Sequence, residues 1–126
     1  RYKSVEKVVM VEIDERVFRL CQKYLPVTAG GIEEEPRMTL KFEDGLAYVK
    51  KAPDASFDLI LVDSTDPISV GEGLFTIEFY QECYRVLRND GILINQHESP
   101  YFTEYAENMK RAHKKIKHIF PITHVY

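Results

Sequence analysis

Apolar and polar positions follow two rhythms along the chain. Lys7–Glu12 (Lys-Val-Val-Met-Val-Glu) is a short apolar run closing on an acid, and it predicts a buried parallel strand. Asp14 is placed to cap a helix whose stripe is Val17, Leu20, Cys21, Tyr24 and Leu25, stopped by Pro26. Val27–Pro36 reads as a loop, with Gly30-Gly31 and the acidic triplet Glu33-Glu34-Glu35. Met38–Phe42 alternates and predicts a second strand; Glu43-Asp44-Gly45 follows, then a short helix over Leu46–Lys51. Phe57–Asp63 (Phe-Asp-Leu-Ile-Leu-Val-Asp) is the strongest buried-strand pattern. It breaks at Ser64-Thr65-Asp66-Pro67, where proline forces its predecessor into extended geometry. Thr76 is placed to cap a helix to Leu87, with Phe79, Tyr80, Cys83, Val86 and Leu87 on one face. Asn89-Asp90-Gly91 ends it, and Gly91–Gln96 is the next strand. A long helix, Thr103–Ile119, carries Tyr105, Met109, Ala112, Ile116 and Ile119 and ends before Pro121; Ile122–Tyr126 reads as the start of another strand.

Strands alternating with helices predict an α/β fold, a largely parallel sheet with helices on both faces. Length allows one core: 126 residues would bury roughly two-thirds of their unfolded surface. An apolar content of 44% excludes a disordered chain. No apolar run has the ~20 residues of a membrane helix, and the start, Arg1-Tyr2-Lys3-Ser4, is neither a signal peptide nor an initiating methionine. We therefore expect further chain upstream. Twenty acids against seventeen bases give a net charge of −3, too acidic for a dedicated nucleic-acid binder. The basic run Lys110–His118 keeps helical spacing and reads as a solvated helix face first and an anion patch second. Cys21 and Cys83 lack metal-ligand spacing and are expected as buried free thiols of a reducing cytoplasm.

Candidate chemistry lies where the strands end. In parallel sheets ligands gather beyond the carboxyl ends of the strands, and here those ends are acidic: Glu12, then Asp44, then Asp63 with Asp66, then Gln96 with Glu98. Asp63, Asp66, Gln96 and Glu98 are expected on one rim, since consecutive parallel strands joined by a helix are commonly neighbours. Singly, each acid suits a helix cap, an Asx-turn or a solvated position. Together they suit ligand work. An acid after a nucleotide-binding strand accepts both ribose hydroxyls, a role open to Glu12. Asp44 could accept from an adenine amino group. Asp63 and Asp66 could hold a cation and take a proton from it, each raising the other's proton affinity. An oxygen-rich Mg²⁺ or Ca²⁺ site is the competing use; no calcium-loop spacing is present, and His97 alone near the rim does not make a metal site, so none is expected. No Gly-x-Ser-x-Gly surrounds Ser64, which argues against a serine nucleophile.

These residues resemble the spermidine synthase (polyamine aminopropyltransferase) family. Val5–Asp14 looks like the family's second strand, and Glu43-Asp44-Gly45 like its adenine-contacting turn. Asp63-Ser64-Thr65-Asp66-Pro67, with Gly73-Leu74-Phe75-Thr76 and Phe79-Tyr80, looks like its signature segment; Gln96–Pro100 and Phe120–Thr123 match in order and spacing. The resemblance covers essentially the whole chain. It implies a Rossmann-like methyltransferase-type fold and transfer of an aminopropyl group from decarboxylated S-adenosylmethionine to putrescine, giving spermidine and methylthioadenosine. No prosthetic group is implied. Carried over residue by residue, Glu12 would hold the ribose hydroxyls, Asp44 and Gly45 the adenine, and Val70 would line the nucleotide site. Asp63 would be the catalytic base, with Asp66 and Gln96 binding the amine. The resemblance also implies a cytoplasmic enzyme that forms a homo-oligomer at full length.

The chain departs from the family pattern in specific places. The Gly-Gly-Gly-Asp-Gly-Gly loop after the family's first strand has no counterpart, and Ile68-Ser69-Val70 stands where relatives often have Ile-Gly-Pro. Residues 1–126 are thus expected to be a partial catalytic domain lacking its first strand, which in the family lies between the strands read at Lys7–Glu12 and Phe57–Asp63. Two further readings remain at this stage: an S-adenosylmethionine-dependent methyltransferase-like enzyme, and a non-catalytic nucleotide-binding piece.

Overall fold

The computed structural model describes residues 2–63, 73–97 and 103–125, with backbone alone at 103–105. Two compact units follow one another, Arg1–Tyr48 and Val49–Tyr126.

The first unit is built on β1 (Val8–Glu12) and β2 (Met38–Phe42), parallel and in register from Val8↔Met38 to Glu12↔Phe42. Between them run α1 (Glu15–Tyr24) and the single turn α2 (Pro26–Ala29). Asp14 caps α1 as its sequence position implies: its backbone is extended and its carboxylate accepts the Arg16 N–H at 2.9 Å. The Leu25 N–H closes on the Cys21 carbonyl at 2.8 Å, and Pro26, with no N–H to place, opens α2. A short helix therefore stands where a loop is expected from position 27.

The buried residue of α1 is Phe18, whose ring lies 5.6 Å from that of Phe42 on β2. The helical period is right but the face is rotated. Phe18, Cys21 and Gln22 turn inward at i, i+3 and i+4, while Val17, Leu20, Tyr24 and Leu25 are exposed. Two of the three acids in the loop are tethers. Glu33 accepts from Arg19 at 2.8 Å and from Gln22 at 2.9 Å, fastening the loop to α1. Glu35 pairs with Arg37 at 2.8 Å, and Arg37 donates to the carbonyls of Tyr2 and Val5. The Arg37 guanidinium holds the Glu35 carboxyl down at about 2. Helix α3 (Gly45–Lys51) follows β2.

The second unit is built on β3 (Phe57–Val62) and β4 (Leu87–Asn95), also parallel. A turn at 73–75 and α4 (Ile77–Val86) lie between them in sequence, and α5 (Thr103–Ile119) packs against α4. Thr76 caps α4, accepting the Phe79 N–H at 3.1 Å and donating to the Gly73 carbonyl at 2.9 Å. Tyr80, Cys83 and Val86 are wholly buried, with Phe79, Val49, Val62, Phe75, Leu87 and Ala112 completing the core. Lys115 of α5 donates to the Phe75 carbonyl at 2.9 Å. Arg85 donates to the carbonyls of Val49 and Ala52 and pairs with Glu82 and Asp54, which ties α4 to the end of α3.

β4 begins earlier than its sequence suggests. Leu87 pairs with Phe57 and Ile92 with Leu59, so Arg88, Asn89, Asp90 and Gly91 bulge opposite Asp58 alone. The Asn-Asp-Gly turn signal is this bulge, inside a strand. Gly91 suits the close packing there: a Cβ would stand 2.9 Å from Leu87 Cδ2 and 3.0 Å from the Arg88 carbonyl oxygen, so that the neighbours would have to give way. β3 is also less buried than its unbroken apolar run implies. Val62 is its buried member, whereas Leu59 and Leu61 share an exposed face with Ile92 and Ile94. Alternation sets this: α4 packs on β4, and Leu59, Leu61, Ile92 and Ile94 point to the other face of the pair. Residues 121–125 form no strand among the described residues. No ladder joins the two pairs among the described residues, and each stands as its own two-stranded sheet.

Candidate active site

Both strand pairs present acids at their carboxyl ends. In the first unit Glu12 closes β1 in register with Phe42. It is half-buried, and its Oε1 accepts the Asp14 N–H at 2.9 Å. Asp44 stands two residues past β2, also half-buried. Its Oδ1 accepts the Ala47 N–H at 2.7 Å and its carbonyl accepts the Tyr48 N–H at 2.9 Å, so Asp44 caps α3. Each carboxylate is thus fixed through one oxygen. The second oxygen of each has no hydrogen bond among the described residues, which leaves it for a ligand donor. Gly45 opens α3 beside them without a side chain.

In the second unit the last rung of the ladder is Val62↔Asn95, and the Gln96 N–H donates to the Val62 carbonyl at 2.9 Å. Asp63 and Gln96 therefore leave the sheet side by side. Both side chains are exposed and neither makes a hydrogen bond or ion pair among the described residues. A groove of about 1520 Å³ is lined by Asp63, Gln96 and His97 together with apolar side chains that include Leu61 and Ile94. Asp66, Val70 and Glu98 lie outside the described residues. Among the described residues no three His, Cys, Asp or Glu side chains gather as a metal ion would need.

Beneath this rim is a polar cluster that the sequence reading passed over. Asn95 Nδ2 donates to Tyr80 Oη at 2.8 Å and lies 3.0 Å from His97 Nε2. The His97 ring packs on Phe75, centroids 5.4 Å apart. Burial pushes the Tyr80 hydroxyl up to about 12 against the opposing Asn95 hydrogen bond, so it stays neutral. Asn95 Oδ1 is buried without a partner among the described residues. Tyr80 reads from sequence as one more apolar-face residue. The available signal was Asn95 and His97, two polar positions at strand spacing on the face that packs against α4. Cys21 is half-buried and Cys83 buried, both as free thiols, and burial pushes the Cys83 thiol up to about 12.

All 126 residues match the family model described as the spermine/spermidine synthase domain. The chain belongs to the spermine/spermidine synthase family. A polyamine aminopropyltransferase of Clostridium acetobutylicum is 63% identical across 126 residues, all of this chain and 44% of the relative. One from Clostridium botulinum strain Eklund 17B is 59% identical over the same shares. The chain spans less than half the length of these curated relatives. Among solved structures, a spermidine synthase in complex with the transition state analogue AdoDATO matches with a TM-score of 0.91 and 40% identity, over 99% of this chain and 42% of that one. The Thermotoga maritima spermidine synthase matches with a TM-score of 0.87 and 39% identity, over 99% and 40%. The family fold is Rossmann-like and of the methyltransferase type, and the parallel α/β pairs seen here are parts of it.

Proposed function

We propose that the protein carrying this chain transfers an aminopropyl group from decarboxylated S-adenosylmethionine to putrescine, giving spermidine and methylthioadenosine. The observation that carries the reading is the side-by-side placement of Asp63 and Gln96 at the carboxyl ends of β3 and β4, in a chain of this family. An alkylamine has a pKa of roughly 10 and is protonated at neutral pH, so it must lose a proton to attack. The exposed Asp63 carboxylate attracts the ammonium and takes that proton. The amine nitrogen then bonds to the propyl carbon attached to sulfur as that carbon–sulfur bond breaks. That bond's electron pair stays on sulfur, which turns the sulfonium into the neutral thioether of methylthioadenosine. Gln96 and Asp66 orient the amine, and alignment of nitrogen, carbon and sulfur supplies much of the remaining acceleration.

Glu12 is assigned the ribose hydroxyls, Asp44 and Gly45 the adenine, and Val70 a place along the nucleotide. The second oxygens of Glu12 and Asp44 support the first two roles. An acidic rim disfavours ordinary S-adenosylmethionine, whose carboxylate would meet like charge. A cytoplasmic location and a homo-oligomer at full length belong to the same proposal, the former supported by two free cysteines.

Product detection by mass spectrometry tests this reading. The protein at its full natural length is incubated with decarboxylated or ordinary S-adenosylmethionine and a mixture of putrescine, cadaverine, agmatine and spermidine. Spermidine and methylthioadenosine from the decarboxylated donor alone are expected. A methylated product from the ordinary donor would overturn the reading, and preferred turnover of another amine would replace putrescine.

A further inference from the structure

Asn95 holds the last rung of the β3–β4 ladder, one residue before Gln96 and opposite Val62, one residue before Asp63. Strand alternation sends Asn95 and His97 to one face and Gln96 to the other. On the Asn95 face the carboxamide donates to Tyr80 Oη at 2.8 Å, and Tyr80 is wholly buried in α4. The same Nδ2 lies 3.0 Å from His97 Nε2, and the His97 ring packs on Phe75, whose carbonyl is held by Lys115. The amide thus links α4 to the end of β4, and the His97 ring carries the contact on to Phe75. Aliphatic packing at this spot would avoid burying Asn95 Oδ1, which has no partner among the described residues, but it would carry no directional bond.

We infer that Tyr80 and Asn95 are positioning residues for the rim, fixing through one hydrogen bond the direction in which Gln96, and beside it Asp63, leave the sheet. The inference rests on the proposed aminopropyl transfer for its kinetic consequence and on geometry alone for its structural one. Neither side chain needs to touch substrate. A carboxylate displaced by about 1 Å loses on the order of 10²-fold in rate where alignment matters, so a partial release predicts a smaller loss.

The test compares wild type, Tyr80→Phe, Asn95→Ala and the double variant, each at full natural length. Tyr80→Phe keeps the ring and removes only the hydroxyl. We expect kcat to fall about 10-fold, with the KM for decarboxylated S-adenosylmethionine within about twofold of wild type, and the double variant no slower than the slower single. Hydrogen exchange at the Gln96 amide, read without turnover, is expected to quicken in Tyr80→Phe while amides within β1 and β2 keep their wild-type rates. Wild-type exchange at Gln96 in Tyr80→Phe would overturn the inference, and so would unchanged kcat in a wild type that is active. Multiplying single effects in the double variant would overturn the one-bond account. Faster Gln96 exchange with no aminopropyl product from wild type would retain the positioning role and sink the proposed reaction. If Asn95→Ala fails to fold, Tyr80→Phe alone decides.

Discussion

The Gln96 N–H and the Val62 carbonyl oxygen, 2.9 Å apart, close the β3–β4 ladder and bring two chain exits to the same height. Asp63 leaves one exit and Gln96 the other. A carboxylate and an amide are thus matched in height, with no hydrogen bond between their side chains among the described residues.

Replacing Asp63 by Asn removes the proposed proton acceptor and keeps its shape. Turnover is expected to fall by about 10²–10⁴-fold, with methylthioadenosine affinity by calorimetry within about twofold of wild type. A parallel loss of nucleotide affinity would move Asp63 from the amine to the donor.

Glu12 serves two donors in this account, the Asp14 N–H through Oε1 and a ribose hydroxyl through its other oxygen. Glu12→Gln is expected to weaken methylthioadenosine binding by about 10-fold, the scale of one charge-assisted hydrogen bond. Asp14→Ala, which uncaps α1, is expected to lower stability by ~1 kcal/mol and leave that affinity near wild type. Equal affinities in Glu12→Gln and wild type would remove Glu12 from the donor site.

The thiols should separate in reactivity and in pH response. Cys21, half-buried, is expected to react with maleimide at pH 7.5 well before the buried Cys83. Cys83 and Tyr80 are both raised to about 12 by burial. The native state therefore keeps both protons where an unfolded chain would release them, near 9 and 10. Their stabilisation is complete below pH 9 and is lost as pH rises to about 12. Denaturant midpoints across pH 8–11 check this, and Cys83→Ala should flatten the part that starts near pH 9.

Gly91→Ala places a methyl against Leu87 Cδ2 and the Arg88 carbonyl. A destabilisation of about 1–3 kcal/mol is expected, as for other overpacked sites. Thermal unfolding of the variant gives the value, and Gly73→Ala, which meets nothing within 4 Å, is the control.

The order and type of the main elements were legible because each rests on local signals. Asp14 and Thr76 cap, Pro26 interrupts, and apolar periods of two and 3.6 mark the rest. What misled was information held by neighbours. The period of α1 gives its stripe, but only β2 decides that Phe18 and not Leu20 faces inward. Asn89-Asp90-Gly91 is a turn signal in any sequence, and only the Phe57↔Leu87 pairing makes it a bulge. At the site, Asp63 and Gln96 could be placed from strand ends alone. Asp44 caps α3, one of the uses its place after a strand left open, and only the Ala47 N–H beneath it decides that. Tyr80 and Asn95 are 15 residues apart, and their bond exists only once α4 lies on β4.

The bulge at 88–91 also sets where this unit tolerates a change of length. Pairing restarts at Ile92 whatever the count before it, so one residue added between Arg88 and Asp90 lengthens a loop already out of register. The same insertion between Leu59 and Val62 would slip β3 by one and turn Asp63 to the opposite side of the sheet. Insertions and deletions that keep the fold should therefore collect in the bulge and be purged from the strand that carries Asp63.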